Sequence, residues 1–181
     1  MRRAAAPVSI RPVGRGDAAA MHAAMAEAEA GLSRWMPWHR PGHPLAAVEA
    51  WAGAAAAARV EGRAYEFVIE GEGRVLGACG LADVDAVNRC GKVGYWVRAS
   101  AGGRGAATEA VRLLAAWAWA ETDLERLEIR AAVKNVASRR VAEKAGAVLE
   151  GVARRRFRLH GRQEDAAVYA LLRPEVTSET P

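Results

Sequence analysis

A chain of 181 residues, 51 % of them hydrophobic, has the size of a single domain and enough apolar material to fill one core. Glu27, Glu29, Glu49 and Arg59 interrupt the alanine-rich stretches, and Pro7, Ser9 and Arg11 break the start, which argues against a membrane span or a cleaved leader and predicts a cytoplasmic protein. The formal net charge of +5 suits a polyanionic partner, nucleic acid and a phosphorylated small molecule alike, whereas Cys79 and Cys90 have no spacing for metal or redox chemistry.

In chain order, Val8–Val13 has the pattern of a short strand, and Asp17 is placed to cap a helix reaching about Ser33. A second, alanine-rich helix is predicted over Pro44–Val60, with Val48 and Trp51 toward the core. Tyr65–Glu70 and Val75–Leu81 form a strand pair around the turn Gly71-Glu72-Gly73, and Val93–Arg98 is a further strand. Val111, Leu114 and Ala118 recur at helical spacing within Thr108–Glu121. Leu127–Val133 is a strand, and Val136–Ala145 a short helix closed by Gly146. Val148–Leu159 and Ala166–Leu172 pair around His160-Gly161-Arg162. The order βααβββαβαββ predicts an α/β fold, one mixed sheet with helices on its faces, over residues 1–173, followed by a frayed tail at 174–181.

The segment most informative about chemistry is GYWVRASAGGRGAATEA, 94–110. A strand runs into a turn holding Gly102, Gly103 and Gly105, and a helix starts near Ala106. Free backbone N–H groups at a helix start, the helix dipole and the close approach that glycine permits together make a pyrophosphate site. Arg98 and Arg104 add charge, and Ala107 and Thr108 continue the first helical turn. The turn is neither GxxxxGK[ST] nor a GxGxxG opening the first βαβ unit, which sets aside P-loop and dinucleotide folds. By itself it also fits a plain glycine turn.

A second motif, NVASRRVAEKAG (135–146), opens the next helix but one strand later. With it the chain resembles the GNAT superfamily of N-acetyltransferases, and within it the RimJ/RimL-type branch of ribosomal-protein N-terminal acetyltransferases. The resemblance spans about residues 8–173. It rests on Gly94-Tyr95-Trp96, Gly103-Arg104-Gly105-Ala106-Ala107-Thr108-Glu109-Ala110, Asn135, Ser138, Glu143, Lys144, Gly146, Glu150-Gly151, His160-Gly161 and Tyr169, with the early Trp35-Met36-Pro37-Trp38. It implies a GNAT-like acyl-CoA N-acyltransferase fold with a mostly antiparallel sheet, acetyl-CoA as cofactor, and a backbone N–H on the Tyr95–Trp96–Val97 strand polarising the thioester carbonyl. Departures are present: Gly102 replaces the usual Arg or Gln, Ala147 the usual Phe, and Ala142 the tyrosine that many members use to protonate the leaving thiolate. Ser138, matching the branch's serine, takes that catalytic role in this reading, and Asn135 contacts the cofactor. Both also suit an ordinary helix start.

A general base is not diagnosed by any motif: Glu66, Asp83, Asp85, Glu164 and Asp165 are all candidates, and Phe157 stands where some relatives carry Glu. An α-amine, with a pKa near 8, needs less deprotonation than a lysine. Trp35 and Trp38, in the loop LSRWMPWHRPGHP, are expected to wall the acceptor site. Strand alternation would put Arg154, Arg156 and Arg158 on one basic face, with Arg156 and Arg158 reaching an acidic acceptor or only solvent. The expected partners are acetyl-CoA and an amine acceptor, a ribosomal-protein or other peptide N-terminus foremost. No membrane and no metal are expected, nucleic acid is disfavoured, and a homodimer is left open. The rival readings are an acetyltransferase of a small amine, polyamine or antibiotic-like, and a non-catalytic CoA- or RNA-binding module on the same fold.

Overall fold

The computed structural model describes residues 7–175; residues 1–6, and 176–181 of the expected tail, lie outside the described residues. Seven strands form one sheet: β1 (Ser9–Pro12), β2 (Tyr65–Gly71), β3 (Arg74–Asp85), β4 (Cys90–Val97), β5 (Arg126–Ala132), β6 (Val148–Leu159) and β7 (Arg162–Leu172). Their spatial order is β1-β2-β3-β4-β5-β7-β6, and every pair is antiparallel except β4–β5. The helices α1 (Ala18–Trp35) and α2 (Leu45–Val60) cover one face; α3 (Ala106–Glu121) and α4 (Val136–Ala145) cover the other. None of the described helices is long and apolar enough to cross a membrane.

The two cores follow from the period of two along each strand. On β2, Phe67 and Ile69 enter the α3/α4 core, while Val68 enters the α1/α2 core with Met21, Met25 and Val48. On β4, Val93 and Tyr95 face α3/α4 and Trp96 faces α1/α2. Cys79, 2 % exposed, is a core residue, as its apolar run predicts.

What positions the site is the one parallel pairing. β4 and β5 are in register only from Cys90↔Arg126 to Val93↔Ile129. Beyond Val93, β4 continues to Val97 on β3 alone, so its other edge opens into a gap. A parallel pair that splays apart leaves backbone N–H and C=O groups without a ladder partner.

Two expectations are corrected here. Asp17 occupies the cap position of α1 but makes no cap bond. Its carboxylate instead accepts from Arg11 Nη1 and Nη2 (2.8 and 2.6 Å) and from the Gly14 N–H (2.8 Å), and the Arg11 hydrogen bond holds its pKa below the usual value. On β6 the register shifts between Ala153 and Phe157, and Arg155 adopts φ 51°. This bulge breaks the alternation, so Arg154, Arg155, Arg156 and Arg158 are all exposed and no single basic strand face forms.

Candidate active site

After β4 the chain makes a short 3-10 turn, Ala99–Ala101, and the glycine turn. Gly103 (φ +68°) and Gly105 (φ +89°) both take the left-handed conformation that glycine accepts without strain. Gly105 is the N-cap of α3 and offers no side-chain cap, which leaves the first N–H groups of the helix pointing out of its end. They open on a cavity of about 1020 Å³ lined by Gly102–Glu109, by Tyr95, Trp96 and Val97 of β4, by the C-terminal half of α1, and by Asn135, Ala137, Ser138, Arg140, Val141 and Lys144 at α4.

Of the side chains assigned to this site from sequence, most line the cavity: Tyr95, Trp96, Val97, Gly102, Gly103, Arg104, Gly105, Ala106, Ala107, Thr108, Asn135 and Ser138. Arg98 does not. It turns back to pair with Glu27 of α1 at 3.1 Å, its backbone N–H donates to the Leu76 carbonyl at 2.7 Å, and Glu27 also accepts from the Ser100 N–H at 2.7 Å. Arg98 therefore fixes the turn against α1 rather than adding charge to the cavity. Arg104 stays at the rim but is already engaged by Glu72. The cations that sequence reasoning missed are Arg112, Arg140 and Lys144. Arg140 and Lys144 stand four residues apart on α4, so they share one face, and neither has an ion-pair partner among the described residues. That spacing was the available signal.

At the head of α4, Asn135 Oδ1 accepts from the Ser138 N–H at 3.2 Å, the side-chain cap its type favours. The Ser138 hydroxyl lies 3.0 Å from the Tyr95 hydroxyl, which also donates to the Ser138 carbonyl at 2.9 Å. Burial pushes the Tyr95 phenol up to about 12, so it stays a neutral donor. This hydroxyl pair joins residues 43 apart in sequence and was not legible there. Ala142, 0 % exposed, sits in the core under α4. Tyr169 does not line the cavity: it is fully buried, accepts from Arg139 Nε at 3.0 Å and donates to Glu143 at 2.8 Å.

A second cavity, about 530 Å³, lies on the α1/α2 side of the sheet. Its walls are Met21, Met25, Met36, Trp38, Val48 and Trp51, with His43 at the connection between the helices. Met36, Tyr95 and Trp96 line both cavities, so the two meet across β4. The two tryptophans expected to share one wall are divided. Trp35 ends α1 rather than standing in a loop, and it lines the first cavity beneath Arg34, 4.7 Å from its ring; Trp38 lines the second. Arg156 and Arg158 line neither cavity.

The five candidate bases separate clearly. Lys92 holds Asp83 at 2.6 Å, Lys134 holds Glu164 at 2.8 Å, Asp85 accepts from the Val87 and Asn88 N–H groups, and Asp165 accepts from the Arg155 N–H. Glu66 faces the second cavity, and burial pushes its carboxyl up to about 7, with Arg59 pulling the other way.

Two cavities thus share the open edge of one strand, and a helix start with uncapped N–H groups floors one of them. The chain belongs to the GNAT acetyltransferase family: the model of the Acetyltransferase (GNAT) domain matches residues 8–148. It is 38 % identical over 108 residues, 60 % of this chain, to the "Putative ribosomal N-acetyltransferase YdaF" of Bacillus subtilis (strain 168), and the match spans 59 % of that relative's length. It is 28 % identical over 109 residues, 60 % of this chain and 61 % of the relative, to the ribosomal-protein-serine acetyltransferase of Escherichia coli (strain K12). Among solved structures, Mycobacterium smegmatis RimJ in complex with CoA-disulfide superposes with a TM-score of 0.85 at 28 % identity, covering 93 % of this chain and 83 % of that one.

Proposed function

We propose that the protein transfers the acetyl group of acetyl-CoA to a primary amine, foremost a protein or peptide N-terminal α-amine, by direct attack while both are bound. The observation that carries this reading is the meeting of the two cavities at Tyr95 and Trp96, on the unpaired edge of β4. Residues of the first cavity fit a CoA pyrophosphate: the N–H groups of Gly103–Thr108 converge without a capping side chain, and Arg140 and Lys144 are free to meet further phosphate charge. When bound, acetyl-CoA supplies a thioester, whose carbonyl gains polarity from a backbone N–H of the Tyr95–Val97 edge. Ser138 lies next to that edge and gives a proton to the departing sulfur, with the Tyr95 hydroxyl holding it in place.

Three considerations favour an α-amine. It is partly neutral near pH 7 without help. The second cavity is walled by methionine and tryptophan, which suits the first side chain of a peptide better than a polycation. The relatives named for ribosomal-protein acetylation point the same way. The reading places the protein in the cytoplasm, with acetyl-CoA and ribosomal-protein termini.

The test is thiol release from acetyl-CoA over a panel of peptides with free N-termini, spermidine and an aminoglycoside. Peptides turning over fastest supports the assignment. Spermidine or the aminoglycoside turning over far faster than any peptide removes the α-amine assignment and keeps the transferase; no thiol release with any amine removes both.

A further inference from the structure

The floor of the second cavity is a row of three cross-strand neighbours. Glu66 on β2 pairs with Gly80 on β3, and Gly80 pairs with Gly94 on β4. Neither glycine has a left-handed φ, so the backbone does not call for glycine at either place. Space does. A Cβ on Gly80 would overlap Glu66 Oε2 and lie 2.7 Å from the Tyr65 carbonyl oxygen, so the carboxylate lies directly over the Gly80 backbone. A Cβ on Gly94 would meet nothing within 4 Å: beside the carboxylate the floor is bare and open to the cavity. Neighbouring strands are about 4.8 Å apart, which puts a carboxylate lying over β3 within one strand of Gly94. The next residue, Tyr95, lines both cavities.

The carboxylate has no hydrogen-bond or ion-pair partner among the described residues, although Met21, Met25, Val48 and Trp51 surround the space above it. Among the described residues, Arg59 donates only to the Glu66 backbone carbonyl, at 3.3 Å. An unpaired carboxylate facing an apolar cavity is costly unless a ligand completes it. A primary amine is the complement: a hydrogen-bond donor that sheds a proton.

Given the transfer reading above, we propose that Glu66 docks the acceptor amine over the Gly80–Gly94 floor and takes the proton that its nitrogen loses. As the nitrogen forms the new C–N bond, the thioester C–S bond breaks. The proton from nitrogen passes to Glu66 and then to solvent; the sulfur takes one through the Ser138 hydroxyl, which solvent restores. The other titratable groups around Glu66 are His43 from the helix connection, Tyr95 on β4 and Arg59 at the end of α2, while Cys79 pairs with Phe67 on the opposite, α3/α4 face of the sheet.

The test uses the full chain, a peptide acceptor and two variants. Glu66→Gln is expected to lower kcat/KM for the acceptor about a hundredfold or more, the range for losing a general base. Its log(kcat/KM)–pH profile loses one of the two deprotonations of the wild-type acid limb, and acetyl-CoA affinity by calorimetry stays within twofold. Gly94→Val, placed where the structure has room, is expected to fold as wild type, keep acetyl-CoA affinity and raise the acceptor KM at least tenfold. A Glu66→Gln enzyme within twofold of wild type, with the same pH slope, overturns the proposal. A readout free of turnover is the side-chain carboxyl carbon resonance of Glu66, assigned by its loss in Glu66→Gln. Butylamine is expected to move it in wild type and not in Gly94→Val. If no amine releases thiol, the transfer reading fails while this resonance still decides on docking; its failure to move overturns the present inference by itself.

Discussion

Replacing Glu66 by Gln is expected to make the fold more stable, and only above a definite pH. Burial lifts this carboxyl from 4.5 to about 7. Between those values the folded chain holds a proton that the unfolded chain has released, so the contribution of Glu66 to stability declines as pH rises through this window. Below about 4.5 both states are protonated and the difference vanishes; above about 7 it is complete. At about 1.36 kcal/mol per tenfold in acidity, the full cost of ionising the buried group is about 3 kcal/mol. An amide of the same shape pays about the same desolvation as the protonated carboxyl, so above pH 7 the variant gains nearly all of this, about 3 kcal/mol. For a domain of this length that is about 6–12 °C in melting temperature. The assay is thermal unfolding of wild type and Glu66→Gln side by side from pH 4 to pH 8.5. Melting points that coincide at pH 4 and separate progressively to pH 8, with the variant higher, are the expected result. A separation that is constant with pH, or a variant that is less stable at pH 8, refutes the reasoning, because the carboxyl then titrates as it does in the unfolded chain.

Other outcomes follow from the same geometry. Gly105→Val has room for its side chain but not for φ +89°, so the helix start must shift; acetyl-CoA affinity by calorimetry is expected to fall tenfold or more, about 1.4 kcal/mol, with the melting point also reduced. Ser138→Ala keeps the Asn135 cap, which uses the Ser138 N–H, and is expected to lower kcat and kcat/KM together while acetyl-CoA affinity holds; Tyr95→Phe, which removes only the partner hydroxyl, is expected to lower kcat less. Trp35→Ala is expected to weaken acetyl-CoA binding and Trp38→Ala to raise the acceptor KM, and steady-state kinetics showing the opposite pattern would refute the division of the two tryptophans between the cavities.

The order of elements and the glycine turn were legible because their signals are local. Val111, Leu114 and Ala118 mark α3 by their spacing; Gly103, Gly105 and Gly146 stand where the backbone takes positive φ; and Asn135 caps α4 from three residues away. Such features depend on a few neighbouring residues, so the chain carries them without reference to the rest of the fold. The errors came where a local rule met a distant competitor. Asp17 suits a cap, but Arg11, on a strand fixed by pairing with β2, binds it more strongly; Arg98 suits a phosphate, but Glu27 on α1 reaches it first. The run of arginines at 154–158 would alternate in a regular strand, and the bulge against β7 removes the alternation. Which of five carboxylates faces the second cavity was undecidable in the sequence, because facing is a property of register: Glu66 comes to lie over Gly80 and beside Gly94 only when three strands separated along the chain align. The sequence by itself determined the elements, the glycine turn and the Asn135/Ser138 helix start. Only the tertiary structure decided that β4 leaves β5 after Val93, that two cavities therefore meet at Tyr95 and Trp96, and which side chains look into each, because pairing between distant segments sets where a strand's edge is free and which face each residue presents.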